Sequence, residues 1–235
     1  MTQDHPIPPF DWFANQFTDS RREEFIEKIY PFLKTYLKQG DRVLDLGCGA
    51  GSITLFLEEQ GALVTGIDLS PGLISLARKE AIKQGAKANF IQANVLTHPL
   101  GERIYDLAVC FGNPLTDFPH HRFPKFRDRV FNALKPGGHF ILEYIDGLER
   151  VAWMSEPEKV IEQGIHSQIA RWFKGYDPAT SSYKMEFRNL TTNEVCQVTE
   201  FVYVGPLIRL LLEIRFDFIQ SIHLDHSFLD IYTKP

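Results

Sequence analysis

The sequence predicts an α/β fold with a doubly wound, mostly parallel seven-stranded sheet and an inserted segment of antiparallel strands. Three observations predict it. Apolar runs of strand length alternate with helix-length segments from about residue 42 to residue 146, a rhythm that indicates parallel strands joined by crossover helices. The first of these runs ends in the glycine-rich turn 47–51. After residue 147 the apolar period changes to two, which is typical of antiparallel strands.

Local signals define the elements before the insertion. Ser20 and Glu23 form a capping-box pattern, which predicts a helix from Ser20 to about residue 37 with Pro31 inside it. The strand 42–46 then leads into the glycine turn. Further along, Ser70 as N-cap and Pro71 at the first helical position predict the start of another helix.

The rest of the chain divides into an insertion and a return to the main sheet. In the insertion we expect a short helix over residues 156–163 and three antiparallel strands, near residues 167–174, 183–190 and 195–204. A last helix over 206–213 and a hairpin of strands 216–224 and 227–233 complete the sheet. The predicted organisation is therefore a core at 1–146, an insertion at 147–204 and a completing segment at 205–235.

The glycine turn and the end of the next strand indicate a nucleoside cofactor. A Cβ atom at Gly47, Gly49 or Gly51 would obstruct a ligand or forbid the turn. Asp68 ends the second strand, where an acidic side chain accepts hydrogen bonds from the hydroxyls of a ribose. A dinucleotide-binding turn needs glycine where Ser52 stands, so an NAD-dependent oxidoreductase is the less favoured alternative.

The run from Asp45 to Gly51 resembles the first motif of class I S-adenosylmethionine-dependent methyltransferases. Segments 68–71, 90–95, 105–113 and 134–142 follow in that family's order, so the resemblance covers residues 40–146. It implies a Rossmann-like methyltransferase fold with S-adenosylmethionine as cofactor. The residues it implies for binding that cofactor are Asp45, Gly47, Cys48, Gly49, Gly51, Asp68, Leu69, Asn94, Val95 and Phe111.

Asn94 departs from the family pattern, and the loop 111–115 narrows the expected substrate class. Asn94 stands where the family usually has an acidic residue that holds the adenine amino group, and its amide carbonyl can accept the same hydrogen bond without charge. The loop 111–115 is similar to that of small-molecule N-methyltransferases of the glycine and amino-sugar type. It lacks the Asn-Pro-Pro-aromatic motif of enzymes that methylate amides of bases or glutamine. We therefore expect a small-molecule methyl acceptor, with nitrogen favoured as the acceptor atom.

Methyl transfer depends mainly on positioning, so few catalytic side chains are expected. The candidates are Asn113, Glu143 and His120, because Glu143 ends the predicted fifth strand and Asn113 and His120 follow the fourth. Each has a structural alternative: a turn dipeptide for Asn113 with its following proline, a solvent-facing edge carboxylate for Glu143, and an exposed helix face for His120. No metal site is expected, because His223 and His226 do not share a face of a strand.

Composition and charge restrict the classes of partner that the protein is expected to bind. The net charge of −5 and the lack of a basic stripe argue against nucleic-acid binding, which depends on basic side chains. No window reaches the roughly 18 uncharged apolar residues of a membrane helix, and the expected location is the cytoplasm.

The insertion is expected to cover the active site or to form a homodimer contact. A protein that binds S-adenosylmethionine without catalysis remains an alternative function.

Overall fold

The computed structural model describes residues 19–155, 159–163 and 168–235. The helices are α1 Asp19–Tyr36, α2 Ser52–Glu59, α3 Pro71–Gln84, α4 Phe123–Ala133, α5 Gly147–Met154 and α6 Gly205–Leu212. The strands are β1 Arg42–Leu46, β2 Leu63–Asp68, β3 Asn89–Gln92, β4 Tyr105–Cys110, β5 Leu134–Tyr144, β6 Lys159–Gln163, β7 Gln168–Asp177, β8 Ser182–Asn189, β9 Val195–Phe201, β10 Asp217–Leu224 and β11 Ser227–Thr233. Two short 3₁₀ segments, Pro114–Asp117 and His120–Arg122, follow β4.

Seven strands form the main sheet, in the order β3-β2-β1-β4-β5-β11-β10. The strands β1 to β5 pair in parallel, and β11 alone runs against both of its neighbours. The predicted doubly wound, mostly parallel sheet is confirmed. In such a sheet the order reverses beside β1, so ligands bind at the carboxyl ends of β1 and β4.

The core lies on both faces of the main sheet. Alternate residues of the central strands point to opposite faces, so Val43 packs with α1 and α2 whereas Leu44 packs with α4 and α6. Both side chains are fully buried. Helix α1 begins at Asp19, one residue before the predicted start, and continues through Pro31. The Ser70 hydroxyl accepts a hydrogen bond from the Leu73 N–H at 3.0 Å, which confirms the predicted N-cap of α3.

The insertion forms a separate antiparallel sheet in the order β6-β7-β8-β9. The three antiparallel strands predicted for it are confirmed as β7, β8 and β9. The helix predicted over residues 156–163 is wrong over its described part, because Lys159–Gln163 is a strand paired with β7; residues 156–158 lie outside the described residues. The helix lies earlier, at Gly147–Met154, where the Asp146 side chain accepts a hydrogen bond from the Leu148 N–H and caps it.

The second sheet contacts the main sheet at the carboxyl end of β4. The Tyr203 hydroxyl donates to the Phe118 carbonyl at 2.9 Å, and His120 Nε2 lies 2.9 Å from the Val202 carbonyl. Phe118 and His120 belong to the segment that follows β4, whereas Val202 and Tyr203 follow β9. The insertion therefore lies beside the edge of the main sheet where ligands bind in this architecture.

Within the residues that the structure describes, no helix is long and apolar enough to cross a membrane.

Candidate active site

The glycines of the turn after β1 have different surroundings. All three have positive φ, at +75° for Gly47, +54° for Gly49 and +85° for Gly51, a region that L side chains rarely adopt. A Cβ atom on Gly51 would lie 2.8 Å from the Phe90 ring, so this glycine allows α2 to pack closely on its neighbours. A Cβ atom on Gly49 would meet no atom within 4 Å. Gly49 therefore borders open space, as a residue that touches a ligand must.

Asp68, at the end of β2, holds the same turn. Its Oδ2 accepts a hydrogen bond from the Gly49 N–H at 2.9 Å, and its Oδ1 accepts one from the Ser70 N–H at 2.8 Å. The carboxylate is only partly buried, so its remaining lone pairs can reach a ligand. One side chain thus orders the glycine turn and presents negative charge at the carboxyl edge of the sheet.

Asp45 is almost completely buried, at 1% exposure, behind the turn. Its Oδ2 accepts a hydrogen bond from the Thr54 hydroxyl at 2.6 Å, which ties β1 to the first turn of α2. Burial raises the pKa of Asp45 to about 7, although the hydrogen bond from Thr54 acts against that shift. Its position indicates that Asp45 supports the turn from within the core.

The other predicted cofactor positions differ in how accessible they are. Leu69 is 37% exposed directly beside Asp68, whereas Phe111 is buried and packs edge-on against Phe25. Cys48 is buried, and burial raises the pKa of its thiol. Asn94 uses its Oδ1 to accept a hydrogen bond from the Leu96 N–H at 2.8 Å.

Val95 is the remaining predicted cofactor position. It is partly buried against the core, and its carbonyl accepts a hydrogen bond from Arg129 Nε at 2.8 Å. Among the predicted cofactor positions, Leu69 and Asn94 are thus the more accessible, whereas Phe111 and Cys48 are buried.

Glu143 and Asn113 together hold the loop that follows β4. Glu143 Oε2 accepts hydrogen bonds from the N–H groups of Gly112 at 2.8 Å and Asn113 at 3.1 Å. Glu143 is 5% exposed, so the alternative of a solvent-facing edge carboxylate is wrong; burial raises its pKa. Asn113 has a φ of +57°, and its Oδ1 accepts a hydrogen bond from the Ile145 N–H at 3.1 Å. The buried Asn113 Nδ2 has no hydrogen-bond partner among the residues that the structure describes.

His120 contacts the insertion rather than open solvent. Its ring packs against Phe201 and Tyr203, with centroid separations of 5.8 Å and 4.5 Å, in addition to the Nε2 contact with Val202. The alternative of an exposed helix face is therefore wrong for His120. The structure places this side chain at the junction of the two sheets.

Sequence reasoning missed a charged cluster at the same junction. Arg150 of α5 bonds Glu200 of β9 through Nε at 2.8 Å and Nη2 at 2.7 Å, and the Tyr183 hydroxyl also donates to Glu200. Asp117 ends the first 3₁₀ segment, and its pKa is raised to about 8 by burial and by the charge of Glu200. Period-2 alternation does not say which face of a strand is inward, so no local pattern could have found Glu200.

In the described part of the chain, no group of three His, Cys, Asp or Glu side chains could hold a metal ion.

Comparison with known proteins finds relatives among methyltransferases. Residues 43–138 match the family described as "Methyltransferase domain". The chain is 26% identical over 224 residues to a ubiquinone biosynthesis O-methyltransferase of Serratia proteamaculans, which covers 80% of this chain and 90% of the relative. The corresponding protein of Vibrio vulnificus is 25% identical over 229 residues and covers 83% and 95%.

Solved structures share the fold. The PH0226 protein of Pyrococcus horikoshii has a TM-score of 0.75 at 23% identity, with 93% of each chain covered. An S-adenosylmethionine-dependent methyltransferase of Clostridium acetobutylicum has a TM-score of 0.75 at 16% identity, with 96% of each chain covered. The matched domain, the strand order and the glycine turn with Asp68 together support an S-adenosylmethionine-dependent methyltransferase, with S-adenosylmethionine as its cofactor.

Proposed function

We propose that this enzyme transfers a methyl group from S-adenosylmethionine to a small molecule, at nitrogen, in a cleft between the glycine turn and the second sheet. The observation that carries the proposal is the junction at the carboxyl end of β4. There the insertion contacts the segment after β4 through Tyr203 and His120, beside the turn that borders open space at Gly49. A cleft covered in this way excludes water and positions two small reactants.

The residues present fit the cofactor. Asp68 would accept hydrogen bonds from the ribose, the turn around Gly49 would face the methionine part, and Leu69 would pack on the adenine. Asn94 would accept from the adenine amino group through the second lone pair of its Oδ1. When bound, S-adenosylmethionine supplies a sulfonium methyl group as the electrophile. The protein's part is to hold the acceptor in line with that group and to remove a proton.

Nitrogen is favoured because carboxyl groups surround the cleft. Asp68, Asp117, Glu143 and Glu200 come from four different parts of the chain, and the charge of Arg150 acts on Asp117, Glu143 and Glu200. Such an environment favours a protonated amine over a phenolate, because like charges repel in a partly desolvated site.

An oxygen acceptor is the second candidate. It is favoured by the relatives named O-methyltransferases, which match more than three quarters of this chain. A neutral hydroxyl acceptor would also need a nearby base, so the carboxyl groups of the cleft serve either reaction.

Turnover of a mixed panel tests the proposal. Purified enzyme would be incubated with S-adenosylmethionine and pools of small amines, amino sugars, amino acids, catechols and phenols, and S-adenosylhomocysteine would be measured. We expect turnover with an amine pool, and mass spectrometry with NMR of the product to place the methyl group on nitrogen. Methylation of a phenol pool alone would contradict the nitrogen assignment. Cofactor binding without turnover in any pool would favour the non-catalytic alternative.

The division of the chain into core, insertion and completing segment is part of this proposal. Residues 147–204 would act as the cover, and residues 1–146 with 205–235 as the cofactor-binding body. Homodimer formation and a cytoplasmic location stay predictions. Binding of NAD instead of S-adenosylmethionine in a thermal-shift assay would contradict the whole proposal.

A further inference from the structure

Asp117 lies between the cofactor residues and the second sheet. It ends the 3₁₀ segment Pro114–Asp117, which begins directly after Asn113 and packs against β9. The side chain is partly buried, and no group among the described residues hydrogen-bonds to its carboxylate. Asp117 thus has acceptor atoms available at the edge of the proposed cleft.

Charged groups approach Asp117 from two sides. From the insertion, Glu200 of β9 and Arg150 of α5 act on it with opposite signs, and Asp68 acts on it from the end of β2. Glu200 also accepts a hydrogen bond from the Tyr183 hydroxyl, and its charge acts on Arg171. Burial and the two carboxylates raise the pKa of Asp117 to about 8 despite Arg150. A carboxyl with such a pKa exchanges a proton near neutral pH, which suits a general base.

The other candidate bases are already engaged. Glu143 Oε2 accepts two backbone hydrogen bonds that shape the loop, and His120 Nε2 lies against the Val202 carbonyl. Just before the same 3₁₀ segment, the buried Asn113 Nδ2 has no hydrogen-bond partner in the described part of the chain. An uncommitted donor and an uncommitted acceptor therefore lie at the two ends of one short segment, which indicates that a polar ligand completes this region.

We propose that Asp117 is the catalytic base, which binds the protonated amine of the acceptor and takes a proton from its nitrogen before methyl transfer. This inference rests on the proposed function. One N–H bond of the ammonium breaks and an O–H bond forms on Asp117, which leaves the nitrogen lone pair free to bond the methyl carbon. The methyl C–S electron pair goes to sulfur, and Asp117 returns its proton to water when the methylated amine leaves.

A pair of cofactor analogues tests Asp117 before any acceptor is known. S-Adenosylhomocysteine lacks the methyl group, whereas sinefungin carries an ammonium group where the transferable methyl would be. Calorimetry at pH 8.5 would give the ratio of the two affinities. We expect the wild type to prefer sinefungin and Asp117→Asn to lose roughly tenfold of that preference, because a charge-assisted hydrogen bond becomes a neutral one.

Two further variants make the result decisive. Asp117→Glu keeps the charge and should retain most of the preference, and Asp217→Asn changes an exposed carboxyl on β10 and should leave it unchanged. An unchanged ratio in Asp117→Asn, with S-adenosylhomocysteine still bound normally, would overturn the role of Asp117 alone. Failure of the wild type to bind either analogue would instead overturn the proposed function.

The coupling to the second sheet has its own measurement. Carbon-13 NMR of the aspartate carboxyl groups, assigned through Asp117→Asn, should show Asp117 titrating near pH 8 in the cofactor-free protein. Glu200→Gln removes a negative neighbour and should lower that pKa. Titration of Asp117 near pH 4 in the wild type would contradict the proposal.

Discussion

Asp68 accepts a hydrogen bond from the Gly49 N–H at 2.9 Å, so the carboxylate that ends β2 also holds the glycine turn that follows β1. Two strands that are neighbours in the sheet thereby become one binding edge. The turn is ordered by a residue that we also propose to bind the ribose of the cofactor, which would couple the shape of the site to its charge.

Asp68→Ala should weaken binding of S-adenosylmethionine by about 1.5–3 kcal/mol for each charge-assisted hydrogen bond lost. The loss includes the loosened turn, because Gly49 and Ser70 lose their acceptor as well. Calorimetry with S-adenosylmethionine measures the effect. Asp217→Ala is the matched control at an exposed site. Equal affinity in the Asp68 and Asp217 variants would contradict the assigned ribose contact.

Gly49→Ala and Gly51→Ala should separate binding from stability. Both variants place an alanine at positive φ, at a cost of roughly 1–2 kcal/mol. Only Gly51→Ala adds a contact with Phe90, and overpacking of that kind costs about 1–3 kcal/mol more. Gly49→Ala should instead lower cofactor affinity by roughly tenfold or more, because its methyl group enters the open space.

Urea unfolding and calorimetry on both glycine variants check this split. Gly51→Ala should have the lower free energy of unfolding, and Gly49→Ala the lower cofactor affinity per folded molecule. If Gly49→Ala binds S-adenosylmethionine as the wild type does, the open side of that glycine is not where the cofactor lies.

Asp45 should make the stability of the cofactor-free protein depend on pH. Its pKa rises from 3.8 to about 7 on folding, so its contribution is full below about pH 4 and is lost as the pH increases to about 7. The loss is about 1.4 kcal/mol for each pH unit in that window. Asp45→Asn removes the titration and can keep the acceptor for Thr54, so its stability relative to wild type should rise across the window. Parallel curves of unfolding free energy against pH would show that Asp45 does not titrate as described.

Arg150 and Glu200 should be strongly coupled. Their side chains are 15% and 7% exposed, and removal of one partner of a buried ion pair costs about 3–5 kcal/mol. We expect Arg150→Met to destabilise the protein by that amount, and Arg150→Met with Glu200→Leu to recover much of the loss. A double-mutant cycle from urea unfolding measures the coupling energy. Additive effects of the two changes would show that the pair is not coupled.

Replacement of residues 167–201 by a short linker should leave S-adenosylmethionine affinity within a few-fold and abolish methyl transfer. The cofactor residues lie in the main sheet, whereas Glu200 and the strand that packs beside Asp117 are removed. Light scattering of the same protein tests the dimer alternative. A trimmed protein that becomes monomeric and keeps its activity would show that the insertion is an interface and not a cover.

The sequence alone determined the main sheet, because its signals are local. Alternating apolar runs, the N-cap Ser70 and the glycine turn each depend on residues close in the chain, and all three are confirmed. Local pattern failed over residues 159–163, where a segment predicted to be helical is a strand. Pairing with β7 outweighed local preference there, as tertiary contacts do in short segments.

Only the tertiary structure decided which charged side chains act on one another. Asp68, Asp117 and Glu200 are far apart in the sequence, yet the fold brings Asp68 and Glu200 close enough for their charges to raise the pKa of Asp117. The sequence predicted a ribose contact for Asp68, because an acidic residue that ends the strand after a glycine turn commonly binds ribose hydroxyls. Asp117 and Glu200 carry no such local signal, since a carboxyl gains its role here from burial and from the charges that the fold brings near it.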